Sequence, residues 1–199
     1  MTRIFIVEPE TGKLLTAEEW KNKAEDVKTA EFVVIVPGDG SQAFAIAKKT
    51  VGSFPWKKAK EKVAALSDTL NNEPFAEWGL PTRKQWIDIR EARACGLDQV
   101  LELIGGDKLL RDLRRGEWFW TSEVWVKAGT SAENYEKEKE SASSAWYSVG
   151  NYGYCNNNNM YNSNLALPLL NYSARQWIWK PFITITWTAL RTRKRAQTR

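Results

Sequence analysis

The 199-residue chain contains no histidine and only two cysteines, Cys95 and Cys155. The lack of histidine excludes Ser-His-Asp triads, Cys-His dyads, HExxH zinc sites and histidine-ligated iron centres. Two cysteines are too few for a zinc cluster or for a small fold held by several disulfides, and the sequence leaves open whether they pair. We therefore expect a protein without a metal site or a cofactor.

Long apolar stretches are missing as well. No apolar run reaches the roughly 18 residues that a membrane-spanning helix needs, so no membrane span is expected. The N-terminal sequence MTRIFIVEPETG reaches Glu8 and Pro9 too early for a secretory signal peptide. We therefore expect a cytoplasmic protein or a component of an assembled particle such as a virion.

Acidic side chains are missing after Glu140. Residues 1–140 carry 22 basic and 24 acidic side chains, whereas residues 141–199 carry 7 basic ones and none that is acidic, which leaves the whole chain at +5. All seven lie between Arg175 and Arg199. Such a basic end is able to contact nucleic acid, acidic lipid or a phosphorylated surface, although most basic tails are merely solvated and disordered. Nucleic-acid binding is expected through no other part of the chain.

The pattern of apolar residues predicts an α+β chain. Thr16 with Glu19 forms a predicted capping box, and Ser53 and Thr82 are further predicted helix N-caps. The polar stretch 127–144 is predicted as a long loop. Strands are predicted at 3–7, 32–36, 42–47, 118–126, 145–149 and 182–187, and helices at 17–26, 53–70, 83–94 and 97–104.

Two local patterns resemble motifs of cofactor binding or acid/base catalysis. The run Gly38–Ala43 formally matches GxGxxA, but Pro37 precedes it and residues 44–46 alternate, so we interpret it as a hairpin turn and not as a dinucleotide loop. Glu117 and Glu123 flank a tryptophan-rich strand, and nothing in the sequence arranges them as an acid/base pair.

Residues 151–171 contain eight asparagines with tyrosines between them. Asparagine offers both donor and acceptor groups and tolerates turns, and tyrosine adds rigid amphipathic area of the kind that antibody loops use. Four consecutive asparagines are poor strand formers, so we predict a surface loop or an irregular strand. The composition supports a binding surface and a merely polar loop about equally.

Four motifs follow one another along residues 32–170: WGLPTRKQW at 78–86, WFWTS at 118–122, AWY at 145–147 and NNNNMYNSN at 156–164. Together they resemble the bacterial and phage C-type-lectin-like domains that diversity-generating retroelements vary, a fold class shared with formylglycine-generating enzymes. The resemblance implies two helices, a small twisted antiparallel sheet and long irregular loops. It divides the chain into an N-terminal strand–helix segment (1–30), the lectin-like domain (31–170) and a basic extension (171–199), with Trp78, Trp86, Trp120 and Trp146 mainly in the core.

Within this fold class the residues favour a binding protein over an enzyme. Formylglycine-generating enzymes use a C-terminal cysteine pair, whose spacing Cys95 and Cys155 do not match, and related sulfoxide synthases use histidines. The Glu-Pro-Asn, Gln-Pro-Asp and Trp-Asn-Asp motifs of calcium-dependent sugar-binding lectins do not occur. The first hypothesis is therefore a ligand-binding protein. The second is an interaction protein of the same fold whose basic C-terminus binds a polyanion, and the third is an enzyme of the formylglycine-generating type.

The resemblance implies a receptor-binding protein, for example a phage tail protein that recognises its host. Retroelement diversification alters adenines, and asparagine codons are rich in adenine. The expected partner is a protein or glycan on a cell surface, and homo-oligomerisation stays open. The expected ligand-binding residues are Tyr147, Asn151, Tyr152, Tyr154, Asn156, Asn157, Asn158, Asn159, Tyr161, Asn162 and Asn164.

Overall fold

A computed structural model describes residues 1–8, 11–23, 30–66, 78–109, 117–149 and 155–171. The described strands are β1 (Arg3–Val7), β2 (Leu14–Leu15), β3 (Phe32–Val36), β4 (Phe44–Ala47), β5 (Ser53–Phe54), β6 (Trp78–Gly79), β7 (Trp118–Val124), β8 (Ser144–Val149), β9 (Cys155–Asn159), β10 (Asn164–Leu165) and β11 (Leu169–Asn171). The described helices are α1 (Ala17–Lys21), α2 (Trp56–Ala64), α3 (Arg83–Ala94), α4 (Leu97–Leu103) and α5 (Ala132–Glu140). The α+β class is confirmed.

One sheet has six strands in the order β2-β1-β3-β4-β11-β6, and all its pairs are antiparallel. The hairpin of β3 and β4 is the predicted one, and the Gly38 run is its turn, as predicted. A Cβ on Gly38 would lie 2.8 Å from the backbone of Met1 and Thr2, so glycine is needed there for close approach. β1 pairs with β3, so the N-terminal segment adds two strands to this sheet.

The second sheet has five strands in the order β5-β10-β7-β8-β9. Its pairs are antiparallel except β10 with β7, which run parallel through Leu165 and Phe119. The register of β7 against β8 shifts between Trp120 and Val124, which is a bulge that bends the strand. β9 forms the outer edge of this sheet among the described strands.

The helix N-termini follow the predicted capping pattern in two of three places. Thr16 caps α1 and Thr82 caps α3, each in a complete capping box with the residue three positions on. The prediction for Ser53 is wrong, because Ser53 lies in β5 and Pro55 precedes α2 without a side-chain cap. The first N–H of the helix, that of Trp56, donates instead to the Met160 carbonyl at 2.9 Å.

The core consists of two large clusters of buried side chains. The first lies between the six-stranded sheet and helices α3 and α4, and includes Trp20, Phe44 and Trp86. The second lies between α2 and the five-stranded sheet, and includes Trp56, Trp120 and Ala145. Aromatic side chains bury large areas, so they supply much of the core in a chain with short strands. Trp78, Trp86 and Trp120 are buried as expected, while Trp146 is only half-buried.

The prediction of a loop over 127–144 is wrong, because α5 occupies Ala132–Glu140. No α5 side chain is buried, so the helix leaves no apolar periodicity in the sequence. Both cysteines are free thiols, Cys95 exposed and Cys155 half-buried. Among the described residues, no helix has the length and apolar character to cross a bilayer. The predicted strand 182–187 and the basic extension from 172 onwards lie outside the described residues.

Candidate ligand-binding surface

The tandem asparagines form the edge strand β9, which pairs antiparallel with β8. Trp146 lies opposite Asn157 and Tyr147 opposite Asn156. Because directly opposite residues share a face of the sheet, Asn156 lies on the face of Tyr147 and Asn157 on the face of Trp146. The asparagines therefore reach both faces of one sheet edge. We call Asn156–Asn159 with Tyr161 and Asn162 the asparagine edge.

The hydrogen bonds of β8 and of the residue after β9 show in which direction the backbone N–H and C=O groups of β9 point. The Met160 N–H donates to the Ser143 carbonyl at 2.9 Å, and the Trp146 carbonyl accepts from the Thr121 hydroxyl of β7 at 3.0 Å. Since these directions alternate along an antiparallel pair, the backbone groups of Asn157 and Asn159 point away from β8, to the open edge.

The outward N–H groups of the asparagine edge are occupied by its own side chains. The Asn157 N–H donates to Asn156 Oδ1 at 2.8 Å, and the Asn159 N–H donates to Asn158 Oδ1 at 2.9 Å. An exposed strand edge with free N–H groups invites pairing with another chain. Here the side-chain amides occupy those donors, so the edge presents amide groups to its surroundings instead of a free strand ladder.

The turn after β9 carries the most exposed aromatic side chain among the described residues of this region. Tyr161 is 85% exposed. Its N–H donates to Asn159 Oδ1 at 2.9 Å, and Asn162 Nδ2 donates to Asn158 Oδ1 at 2.6 Å. These bonds hold a large amphipathic ring in the open at low conformational freedom, as in antibody loops.

Two of the expected ligand-binding residues support the surface from within. Tyr147 is 7% exposed and Asn164 is 3% exposed, so neither offers much surface to a large ligand. Tyr147 packs with Trp120 and Ala145, and Asn164 Oδ1 accepts from Asn158 Nδ2 at 3.5 Å. Asn151, Tyr152 and Tyr154 lie outside the described residues.

The other face of the edge has an arginine–tryptophan contact. The Arg83 guanidinium lies 4.4 Å from the ring centre of Trp146, and its Nε is 3.3 Å from Glu123 Oε1. The Arg83 N–H also donates to Glu123, so the start of α3 is anchored to β7. Beside them, burial raises the pKa of the Cys155 thiol, and the positive charge of Arg83 partly opposes this.

A small groove lies where β5, β10 and the start of β7 meet. Its volume is about 200 Å³. Trp118, at its rim, is 44% exposed, and its ring centre lies 5.1 Å from that of Tyr147. The groove is lined by Ser53, Glu117, Trp118, Ser163, Asn164 and Leu165.

The groove was not predicted, because its lining comes from three distant parts of the sequence. Trp118 was interpreted as one residue of a strand and Glu117 only as a neighbour of that strand. The burial pattern of β7, exposed at Trp118 and buried at the next three residues, marks where the strand leaves the core. No periodicity of the sequence alone separates Trp118 from Trp120, which is fully buried on the same strand.

In the described part of the chain, no three cysteine or carboxylate side chains come together as a metal site. An exposed basic face lies on α2, opposite its buried Trp56, Ala59 and Val63. It consists of Lys57, Lys58, Lys60 and Lys62.

The chain matches no protein-family model. No curated protein has significant similarity to it.

Proposed function

We propose that the chain is a non-enzymatic, C-type-lectin-like binding protein that recognises a cell-surface protein or glycan through the asparagine edge. The observation that carries this is the self-bonded edge strand: its side chains occupy their own backbone donors while Tyr161 and the amides stay exposed. In a surface of this kind the side-chain amides hold the backbone in place and Tyr161 stays exposed, which suits recognition because little order has to be gained on binding.

The proposal includes diversification of this surface by a retroelement in a phage or mobile element, with the protein carried on the particle for host recognition. The support is that the asparagines, whose codons are adenine-rich, are concentrated on one sheet edge. Residues of the neighbouring strands that belong to the core, such as Tyr147 and Trp120, are buried. Substitution at the edge therefore changes the surface and leaves the core intact.

A display library tests the binding claim. Codons 156, 157, 159, 161 and 162 are randomised, and the library is selected against immobilised proteins and glycans, with serum albumin and a high-mannose glycan among them. The control library randomises five exposed residues of α5 instead: Glu133, Glu136, Lys137, Lys139 and Glu140. We expect most edge clones to fold and specific binders to come from the edge library.

Two results would contradict the proposal. Edge clones that are mostly unfolded would show that these asparagines are structural. Binders that arise as often from the α5 library would show that the asparagine edge has no special fitness for recognition.

The alternative function is polyanion binding through the basic extension. The dependence of affinity on ionic strength distinguishes it from recognition by the asparagine edge. Affinity for a polyanion falls steeply with salt because counterions are released on binding, whereas recognition by uncharged amides and tyrosine depends little on salt. Binding of heparin or duplex DNA that survives randomisation of the edge and disappears at high salt would favour the alternative.

A further inference from the structure

The four asparagines of β9 are interchangeable in their pairing with β8. The register of a strand is normally fixed because its apolar side chains must face the core, and a slip turns them away from their places. Asn156–Asn159 carry one and the same side chain, so a slip of β9 along β8 puts an asparagine where an asparagine was. A slip of two residues also keeps every side chain on its own face. A residue outside the four therefore has to set the register.

Met160, directly after β9, is the only aliphatic residue between Cys155 and Asn164. It is 8% exposed and belongs to the core cluster that contains Trp56 and Trp120. A slip of β9 takes this apolar side chain out of the cluster, which costs buried apolar area, whereas the asparagines only exchange places with one another.

The backbone of Met160 is bound on both sides. Its N–H donates to the Ser143 carbonyl at 2.9 Å, and its carbonyl accepts from the Trp56 N–H at 2.9 Å. The first bond continues the pairing of β8 and β9 by one residue, and the second joins the end of β9 to the start of α2. Both bonds therefore connect the asparagine edge to fixed parts of the fold.

The other neighbours of the four asparagines hold the register less firmly. Cys155, at the opposite end of β9, is half-buried and has a small side chain. Tyr161 is 85% exposed, so a shift of its ring costs little buried area. Only residues 160–163 separate β9 from β10, which is itself held between β5 and β7. This connection has little room to shorten, so the slip to consider is the one that lengthens it.

We propose that Met160 is a positioning residue that fixes the register of the asparagine edge and so determines which asparagine lies at which place. The inference deepens the proposed function, because it names what holds the binding surface in place. A slip of two residues displaces the amides by about 7 Å along β8, which presents a different surface to a ligand.

Disulfide trapping measures the register directly. Ser144 lies opposite Asn159 in a pair whose backbone groups point away from each other, and such pairs have Cα atoms about 4.5 Å apart, within reach of a disulfide. Asn157 is a diagonal neighbour of Ser144, about 7–8 Å away, which is too far. The full chain with Cys95→Ser and Cys155→Ser is the background. Ser144→Cys with Asn159→Cys reports the observed register, and Ser144→Cys with Asn157→Cys reports a slip of two residues.

The main variant exchanges two residues and keeps the composition. Asn158→Met with Met160→Asn moves the methionine two places towards the N-terminus, and β9 should follow it by two residues. Under oxidised glutathione, the cross-link from 144 to 157 should then form, and that from 144 to 159 should fall about tenfold or more. Peptide mapping by mass spectrometry without reduction measures both fractions.

The matched control is Met160→Leu, which keeps an apolar side chain of similar volume and should keep the original pattern of cross-links. A merely structural role for Met160 would weaken folding without creating the cross-link from 144 to 157. The inference is overturned if the exchanged variant keeps the cross-link from 144 to 159 at its original level. It is also overturned if that variant is folded by near-UV circular dichroism and loses both cross-links.

If the exchanged variant does not fold, Met160→Ala alone decides. A rise in the ratio of the 144–157 to the 144–159 cross-link supports the inference, and a ratio that does not rise overturns it. These measurements need no ligand, so they are independent of the edge library. If that library yields no binders while the register follows the methionine, the register role stands and the binding function does not. Binders from the library, with a register that ignores Met160, would mean the reverse.

Discussion

The rings of Trp118 and Tyr147 lie 5.1 Å apart at an interplanar angle of 37°, across neighbouring strands. Trp118 is the exposed member and Tyr147 the buried one. Aromatic pairs whose ring centres lie this close contribute beyond their buried area. The contact links the groove to the strand that carries the asparagine edge, so a change at Tyr147 is expected to reach both.

Tyr147 provides the first prediction. Tyr147→Ala should lower the free energy of unfolding by about 3–5 kcal/mol, because a large buried ring is removed. Tyr147→Phe keeps the ring and should cost about 1 kcal/mol. Urea denaturation followed by tryptophan fluorescence measures both. Equal losses for the two variants would mean that the hydroxyl and not the ring supports Trp118.

A second prediction concerns the occupied donors of the edge strand. Asn156→Ala with Asn158→Ala removes the two side-chain oxygens that accept from the Asn157 and Asn159 N–H groups. Those N–H groups then face the surroundings free, and strand pairing between chains becomes favourable. We expect concentration-dependent self-association in sedimentation velocity. Asn157→Ala, whose side chain caps neither of these N–H groups, serves as control, and equal association of both variants would refute the capping role.

The third prediction concerns pH and the link between the β3–β4 turn and α3. Lys84 Nζ lies 2.8 Å from Asp39 and 2.5 Å from Asp88. Hydrogen bonds from Lys84 and then Ser41 hold the pKa of Asp39 well below its usual value, and hydrogen bonds to Asp39 and then Asp88 raise the pKa of Lys84. Asp39 is an exposed carboxylate, so salt screens part of this effect.

The sign of the pH effect follows from the direction of these shifts. A lowered carboxyl pKa stabilises the fold above the usual pKa of about 3.9, and this stability is lost as pH falls through the folded value. A raised lysine pKa stabilises the fold below about 10.4 and is lost as pH rises through the folded value. Asp39→Asn should therefore flatten the loss of stability below about pH 4, measured by urea midpoints at several pH values. An unchanged slope would contradict the contribution of Asp39.

A fourth prediction separates the two thiols. Cys95 is exposed at the end of α3, whereas burial raises the pKa of Cys155 and so lowers its thiolate fraction at a given pH. Because the thiolate is the reactive form, Cys155 should react with a disulfide reagent near pH 8 about tenfold or more slowly. Cys95→Ser should remove the fast phase. If Cys155→Ser removes it instead, the assignment of burial to Cys155 is wrong.

Several local patterns were predictable from the sequence because their physical cause is local. The capping box at Thr16 and the N-cap at Thr82 need only residues within one helical turn, and the β3–β4 hairpin needs two apolar runs around a turn. These predictions are confirmed. The start of α2 was predicted wrongly because Ser53 belongs to β5, and the Trp56 N–H at the helix start donates to the carbonyl of the distant Met160.

The features that the sequence did not predict depend on contacts between distant residues, or on the lack of a buried face. Four consecutive asparagines form β9 because β8 supplies the partner backbone, which outweighs the low strand preference of asparagine. α5 has no buried face, so nothing in its periodicity distinguishes it from a polar loop. The groove requires Ser53, Glu117 and Ser163 to meet, and their sequence separations carry no signal of it.

The central claim is that the asparagine edge is varied while the residues beneath it are kept. Sequencing the DNA beside this gene, together with codons 145–171 in many related copies, tests it most directly. We predict a reverse transcriptase gene, a near-copy of the segment, and differences confined to adenine positions, with the codons of Asn156, Asn157, Asn159 and Asn162 variable and that of Tyr147 constant. No near-copy, with edge codons as constant as those of the buried residues, would contradict the account.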